Sequence, residues 1–146
     1  MSYIDDNAAA RERVLGLVRG LSEEQLRKPI DDDWTIGAIL GHLAFWDSAH
    51  VGRLRAALAK GDAAPAPLPD GLPDVINDGT LPMWRALSGQ AAVSLFDAAS
   101  GEADAFLRDL DPTAVEGVRA AGYPRLVERS RHRNEHANTI EQALKG

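Results

Sequence analysis

The chain has 146 residues, a length that fits a single domain with one hydrophobic core. Its shares of hydrophobic (45%) and charged (26%) residues argue against disordered and collagen-like proteins, and the lack of cysteine excludes disulfides, thiolate metal ligands and a cysteine nucleophile. The net charge of −6, without a run of Lys or Arg on one predicted face, argues against nucleic acid as a partner.

The N-terminal segment Met1 to Asp6 lacks the basic and apolar runs of a secretion signal. No stretch approaches the roughly 20 apolar residues that a membrane span requires. We therefore expect a cytoplasmic protein that does not contact a membrane. The bias toward Arg and Ala is typical of a bacterial genome with high GC content.

Helix signals dominate the chain, and no alternating apolar stretch is long enough to predict a strand. The first predicted helix runs from about Asp6 to Arg19, with Gly20 near its end. Ser22 and Gln25 have the spacing of a capping box, and Pro29 ends the short turn that follows.

The longest predicted helix begins after Thr35, a candidate N-cap, and ends at about Lys60, just before Gly61. The segment from Gly61 to Asp74 contains four prolines and predicts an extended crossover that cannot be helical. A third helical region is predicted from Met83 to about Leu110, with a break at Ser88 and Gly89.

A fourth helix is predicted from about Pro124 to Leu144, because proline suits the first position of a helix. Four helices with a long crossover between the second and the third predict an all-α four-helix bundle. Residues 1–146 are expected to form this single domain.

Two histidines in the fourth predicted helix, His132 and His136, are four residues apart. A helix places side chains at this spacing on one face, where two imidazoles can share one metal ion. The spacing alone equally fits two solvated histidines on a charged stretch, and for Arg131, Arg133 and Glu135 a solvated face is the usual interpretation.

Three separated segments resemble the DinB-like superfamily, which includes mycothiol- and bacillithiol-dependent transferases. The segment Trp34 to Ala44 resembles that superfamily's second helix, in which a Trp precedes a capping Ser or Thr and a His-Leu pair follows about two turns later. The segments Leu17 to Leu26 and His132 to Ile140 resemble the approach to that helix and the closing His-x-x-x-His. The resemblance implies a four-helix bundle with a metal bound by His42, His132 and His136.

Three neutral imidazoles suit Zn or Ni best, with Fe or Co also compatible, and leave coordination positions open. A bound divalent ion lowers the pKa of a thiol or water molecule beside it. Because the chain has no cysteine, the resemblance implies a metal-dependent transferase that conjugates a low-molecular-weight thiol such as mycothiol to a small electrophile. The resemblance also implies a homodimer.

Two other functions remain open. The same site fits a metal-dependent hydrolase in which Asp47 or Glu135 moves protons. It also fits a stress protein that binds a small molecule without converting it.

Five further residues are expected near the metal ligands. Trp46 follows His42 by one turn and is a candidate core or pocket-wall residue. His50 lies about 12 Å along the helix axis from His42, too far to share the ion easily, and is expected as a hydrogen-bonded histidine in the core or beside the ligands. Asp47 falls on the apolar stripe of its helix and is expected to form a buried ion pair with Arg129, with Arg133 as the alternative donor.

Overall fold

The computed structural model describes residues 2–146, which form the following elements. These are α1 (Tyr3–Val18), α2 (Glu23–Arg27), β1 (Pro29–Asp31), β2 (Trp34–Thr35), α3 (Ile36–Ala59), α4 (Leu72–Ala86), α5 (Gly89–Arg108), α6 (Pro112–Ala120), a 3-10 turn (Pro124–Leu126) and α7 (Ser130–Lys145). Within this part of the chain, no helix combines the length and the apolar character needed to cross a bilayer.

The long helices α1, α3, α5 and α7 form the predicted all-α four-helix bundle. Helix α3 packs mainly on α5, and α7 packs mainly on α1. One apolar cluster joins the four helices and includes Val14, Leu40, Phe96 and Ile140. A second cluster around Leu54, Leu107 and Val118 closes the end of the bundle near α6.

Helix α3 has the bounds that the sequence predicts. The Thr35 hydroxyl accepts a hydrogen bond from the Ala38 amide at 3.0 Å, and Gly61 follows the helix with a φ of +83°, which glycine adopts without strain. Every residue from Ile36 to Ala44 is buried. The first turns of α3 therefore form the centre of the domain, and any polar side chain there is held in a fixed place.

The segment between α1 and α3 contains the predicted capping box and a hairpin that the sequence did not predict. The Ser22 hydroxyl accepts from the Gln25 amide at 3.2 Å, while the Ser22 amide donates to the Gln25 side chain at 2.9 Å. Strands β1 and β2 pair antiparallel. They are too short to show an alternating pattern, so the expectation of no strand was wrong.

The crossover is partly helical, in contrast to the extended segment expected from Gly61 to Asp74. Helix α4 begins at Leu72, directly after Gly71 with a φ of +80°, and Pro73 occupies its first turn, where a missing amide hydrogen costs nothing. It also continues through Pro82. The predicted start at Met83 was therefore wrong, because prolines compatible with a helix were interpreted as breakers.

The predicted start of the fourth helix at Pro124 was also wrong. Pro124 begins a 3-10 turn, and α7 begins at Ser130. The preceding helix α6 begins at Pro112, with the Asp111 side chain accepting from the Thr113 amide at 2.8 Å. Asp-Pro marks the start of α6, a helix that the sequence did not predict.

Two glycines of α3 provide a matched test of the packing between α3 and α4. A methyl group at Gly41 would lie 2.9 Å from the Trp84 indole, whereas one at Gly52 would meet nothing within 4 Å. We predict that Gly41→Ala lowers the free energy of unfolding by about 1 to 3 kcal/mol through overpacking. Gly52→Ala should raise it by about 0.5 to 1 kcal/mol, because alanine favours a helix interior. Urea denaturation measures both, and equal effects would contradict the tight contact.

Candidate metal centre

Three histidines from two helices converge near the bundle surface. His42 lies on α3, and His132 and His136 lie one turn apart on α7. Each offers one ring nitrogen within a group whose members all lie within 4.8 Å of one another. The Nε2 atoms of His42 and His132 are 3.1 Å apart. The structure thus brings together the three residues expected to hold a metal ion.

The arrangement fits the ligand set of a divalent ion. Metal–nitrogen distances of about 2.0 to 2.1 Å place two ligand nitrogens about 3.0 to 3.4 Å apart, and the His42–His132 pair already has this spacing. Burial, followed by the proximity of His136, lowers the pKa of His42 to about 4. Burial and then the charge of Arg129 lower the pKa of His132 to about 2, and burial also lowers the pKa of His136. All three imidazoles are therefore neutral at neutral pH, the form that binds metal.

His132 receives a hydrogen bond from an arginine. Arg129 Nη2 lies 3.2 Å from His132 Nδ1, and because a guanidinium only donates, Nδ1 is the acceptor. The ring proton then sits on Nε2, which donates to Nε2 of His42. A histidine that binds metal through Nε2 instead carries its proton on Nδ1. Arg129 and a metal ion therefore favour different neutral tautomers of His132.

Asp47 forms the expected buried ion pair, and it does so with both candidate arginines. Its Oδ1 accepts from Arg129 Nε at 2.9 Å, and its Oδ2 accepts from Arg133 Nη2 at 2.9 Å and Nε at 3.3 Å. The side chains of Asp47 and Arg133 are fully buried, and that of Arg129 is 3% exposed. The solvated-face interpretation was wrong for Arg133, because this carboxylate and its neighbours satisfy the guanidinium inside the bundle.

The network around Arg133 continues into the other two long helices. Arg133 Nη1 donates to the Asn7 carbonyl of α1 at 2.8 Å and to Asp104 Oδ2 of α5 at 3.1 Å. Asn7 in turn accepts from the Ser130 amide at 2.9 Å. Burial raises the pKa of Asp104. Four helices thus meet through one set of polar side chains beside the histidines.

Trp46 and His50 line the same cavity as the three histidines. This histidine cavity has a volume of about 360 Å³. Its wall also includes Leu68, Pro73, Asn77, Arg125, Arg129 and Glu135. Trp46 is buried and donates through Nε1 to Asn77 Oδ1 at 2.7 Å, while His50 is half-buried and its Nδ1 accepts from Arg53 Nη1 at 3.3 Å. His50 is not part of the histidine group that offers metal ligands.

A second cavity of about 350 Å³ reaches the histidines from the hairpin side. This hairpin cavity is lined by Ile30, Asp31, Trp34, Ile39, His42, Asn77, His136 and Thr139. The Trp34 ring meets the His42 ring edge to face, with centroids 5.6 Å apart. The hairpin cavity and the histidine cavity therefore both reach the cluster of three histidines, from different sides.

Sequence reasoning missed Asn77, Asp104 and Arg53. Asn77 lies on α4, for which no helix start was predicted at its true position. Asp104 follows Ser100 by one turn on the buried face of α5, so its position on an otherwise apolar stripe was the available signal. Arg53 has no such signal, because its role depends on the fold of the crossover.

The shared carboxylate gives a prediction about stability. Asp47→Asn leaves two buried guanidinium groups without their anionic partner, so we predict a loss of about 3 to 5 kcal/mol in the free energy of unfolding. Glu116→Gln, which breaks an exposed ion pair with Arg119, should cost less than about 1 kcal/mol. Chemical denaturation at neutral pH measures both variants. Similar losses would show that Asp47 contributes no more than a surface charge.

The half-buried His50 gives a prediction about acid stability. Burial, with the charges of Arg129 and Arg53 adding to the shift, lowers the pKa of His50 to about 3. The unfolded chain takes up this proton near pH 6.5, so the free energy of unfolding falls as the pH drops from about 6.5 toward 3 and is unaffected by His50 above that range. Metal-free His50→Gln should therefore lose less stability than the unsubstituted protein between about pH 7 and about pH 4. If the free energy of unfolding of the two proteins changes with pH in the same way, His50 does not contribute to the acid sensitivity.

Comparison with known proteins agrees with the fold and with the histidine cluster. The family model of the DinB superfamily matches residues 7–139, which is most of the chain and includes all three histidines. Neither the curated proteins nor the solved structures gave a match. The chain belongs to the DinB superfamily.

Proposed function

We propose that the protein is a metal-dependent transferase that joins a low-molecular-weight thiol to a small electrophile. His42, His132 and His136 hold the ion, with Zn or Ni as the best-suited metal. The observation that carries this proposal is the convergence of three neutral imidazoles where two cavities meet. Because the chain has no cysteine, the sulfur of the reaction comes from a second small molecule.

The two cavities fit a reaction with two reactants. The hairpin cavity presents apolar side chains, among them Trp34 and Ile39, whereas the histidine cavity presents the charged Arg125 and Arg129. A bound divalent ion lowers the pKa of a thiol and polarises an electrophile. The walls on either side hold the reactants at the cluster, which converts an encounter of two molecules into a reaction between neighbours.

Addition to an activated double bond is the simplest reaction that balances. The sulfur forms a bond to the electrophilic carbon, and the electron pair of the double bond moves to the adjacent carbon. That carbon takes up the proton that the thiol has lost, so neither an oxidant nor a leaving group is needed. The protein has to keep both molecules oriented and to exclude competing water.

Glu135 favours a hydrolase as the second candidate. Its side chain lines the histidine cavity and is 52% exposed, and its Oε1 is paired with Arg131 and Arg125, which leaves Oε2 to take a proton from water. Asp47 is unsuited to that task, because both of its oxygens are bound to buried arginines. A hydrolase would consume an ester or amide without any thiol.

The test is metal binding and thiol consumption by single variants. We predict that His42→Ala, His132→Ala and His136→Ala each weaken metal binding by more than about 100-fold, because each removes a ligand rather than a neighbour of one. Far-UV circular dichroism should stay unchanged, since the bundle has its own apolar core. His50→Ala is the matched control for metal stoichiometry, because it removes a nearby imidazole outside the cluster.

Activity follows metal content if the proposal is correct. Protein loaded with Zn or Ni should consume a thiol together with an electrophile, and chelation should stop the reaction. Ester cleavage without thiol consumption would identify a hydrolase. Binding of electrophiles without any product would identify a non-catalytic protein, and loss of helicity in all three variants would indicate a structural metal.

A further inference from the structure

We infer that a third cavity, next to the metal centre, is a subsite for an oxyanion, so that one reactant of the proposed transferase carries a carboxylate or phosphate group. This arginine cavity has a volume of about 420 Å³. Its wall includes Arg53, Arg125, Arg131, His50, Leu68 and Tyr123. The inference names a substrate class for the proposed function and therefore rests on it.

The charge on this wall is opposite to that of the whole protein. The chain carries −6, yet three guanidinium groups border the arginine cavity and no carboxylate lines it. Glu135 is the one acidic partner that the described residues offer, at 3.2 Å from Arg131 Nε and 3.9 Å from Arg125 Nη2. Arg53 has no carboxylate within 4 Å in residues 2–146. The cavity thus keeps a local excess of positive charge, which attracts anions.

Arg53 is held in place by neutral groups that leave its charge uncompensated. Its Nη2 donates to the Ala66 carbonyl of the crossover at 2.8 Å, and its Nη1 donates to His50 Nδ1 at 3.3 Å. These contacts fix the guanidinium plane, and its remaining hydrogens are available to a ligand. A fixed planar fork binds carboxylate or phosphate oxygens with little further loss of side-chain freedom.

The start of α7 adds to the positive potential. The first turn contains Arg131 and Arg133 but no acidic residue. Arg133 is paired with Asp47 and Asp104, and the Asn7 side chain accepts from the Ser130 amide at 2.9 Å. Cations at a helix N-terminus oppose the helix dipole and lower stability, whereas an anion there is favourable. In α1, by contrast, Ser2 caps the helix and Asp5 and Asp6 occupy the first turn. Arg131, whose side chain is 68% exposed, is the cation of the α7 first turn whose charge an anion in the arginine cavity compensates.

The arginine cavity adjoins the histidine cavity. His50, Leu68 and Arg125 belong to the walls of both. Arg129 joins the two walls directly, because its Nη1 donates to the Arg125 carbonyl at 3.0 Å and its Nη2 donates to His132. A reactant whose oxyanion is held by the arginines therefore extends its other end toward the histidine cluster.

The test measures anion binding to metal-free protein by calorimetry, with inorganic phosphate and succinate as probes. Arg53→Gln should weaken the binding of the preferred probe by about tenfold, since a charge-assisted fork is lost. Arg53→Lys keeps the charge but not the fork, so its affinity for the probe should lie between that of the unsubstituted protein and that of Arg53→Gln. Arg55→Gln is the matched control: Arg55 lies on the same helix against the Phe106 ring, 4.9 Å from its centroid. The Arg55→Gln variant should bind both probes with the affinity of the unsubstituted protein.

The two probes and a second assay separate the possible outcomes. Stronger binding of succinate assigns the subsite to carboxylates, and stronger binding of phosphate assigns it to phosphoryl groups. In metal-loaded protein, Arg53→Gln should raise KM for the anionic reactant by a larger factor than for its uncharged analogues. Equal probe binding by Arg53→Gln and Arg55→Gln would overturn the subsite even if thiol transfer is observed. Arginine-dependent binding without thiol transfer would keep the subsite and reject the proposed reaction.

Discussion

The carboxylate of Asp47, shared between Arg129 and Arg133, sets the relative position of α3 and α7. Helix α7 packs mainly on α1 and less closely on α3. The ion pairs add a constraint between α3 and α7, because one Asp47 oxygen is bound to Arg129, the N-cap residue of α7, and the other to Arg133 within α7. Each arginine also precedes a metal-site histidine by three residues: Arg129 precedes His132, and Arg133 precedes His136. The register that satisfies Asp47 is therefore the register that brings the three histidines together.

This arrangement favours positional accuracy over stability. Burying ions costs free energy that mutual attraction offsets only when the hydrogen bonding is nearly complete, and apolar residues of similar volume are often as stable. Here the hydrogen bonding is extensive, since Arg133 also donates to the Asn7 carbonyl and to Asp104. A displacement of α7 by one residue would break several of these directional bonds together. An apolar interface of similar size has no directional bonds, so small displacements of α7 would cost less there, and the histidine nitrogens would move apart with them.

The sequence predicts those parts of the structure that depend on local signals. The Thr35 cap and Gly61 define α3 because both act within a few residues, and the apolar stripe of α3 reveals Asp47 as a buried charge in need of a partner. The start of α4 was missed because Pro73 fits the first turn of a helix as well as an extended chain. Because Asn77 lies on α4, its place in the cavity wall was missed for the same reason. The sequence offered Arg133 only as an alternative to Arg129. That both bind Asp47 at once depends on three-dimensional packing with α1 and α5, which no local pattern reports.

Arg129 connects the structural network, the metal centre and the arginine cavity through different nitrogens. Its Nε binds Asp47, its Nη1 binds the Arg125 carbonyl and its Nη2 binds His132. If His132 binds an ion through Nε2, its Nδ1 becomes a donor and no longer accepts from Arg129. A buried guanidinium hydrogen left without an acceptor is unfavourable, and the adjoining cavity offers either water or the oxyanion of a reactant as a replacement. We therefore expect metal binding by the histidines to be coupled to binding of an oxyanion that reaches the histidine cavity, where Arg129 lies.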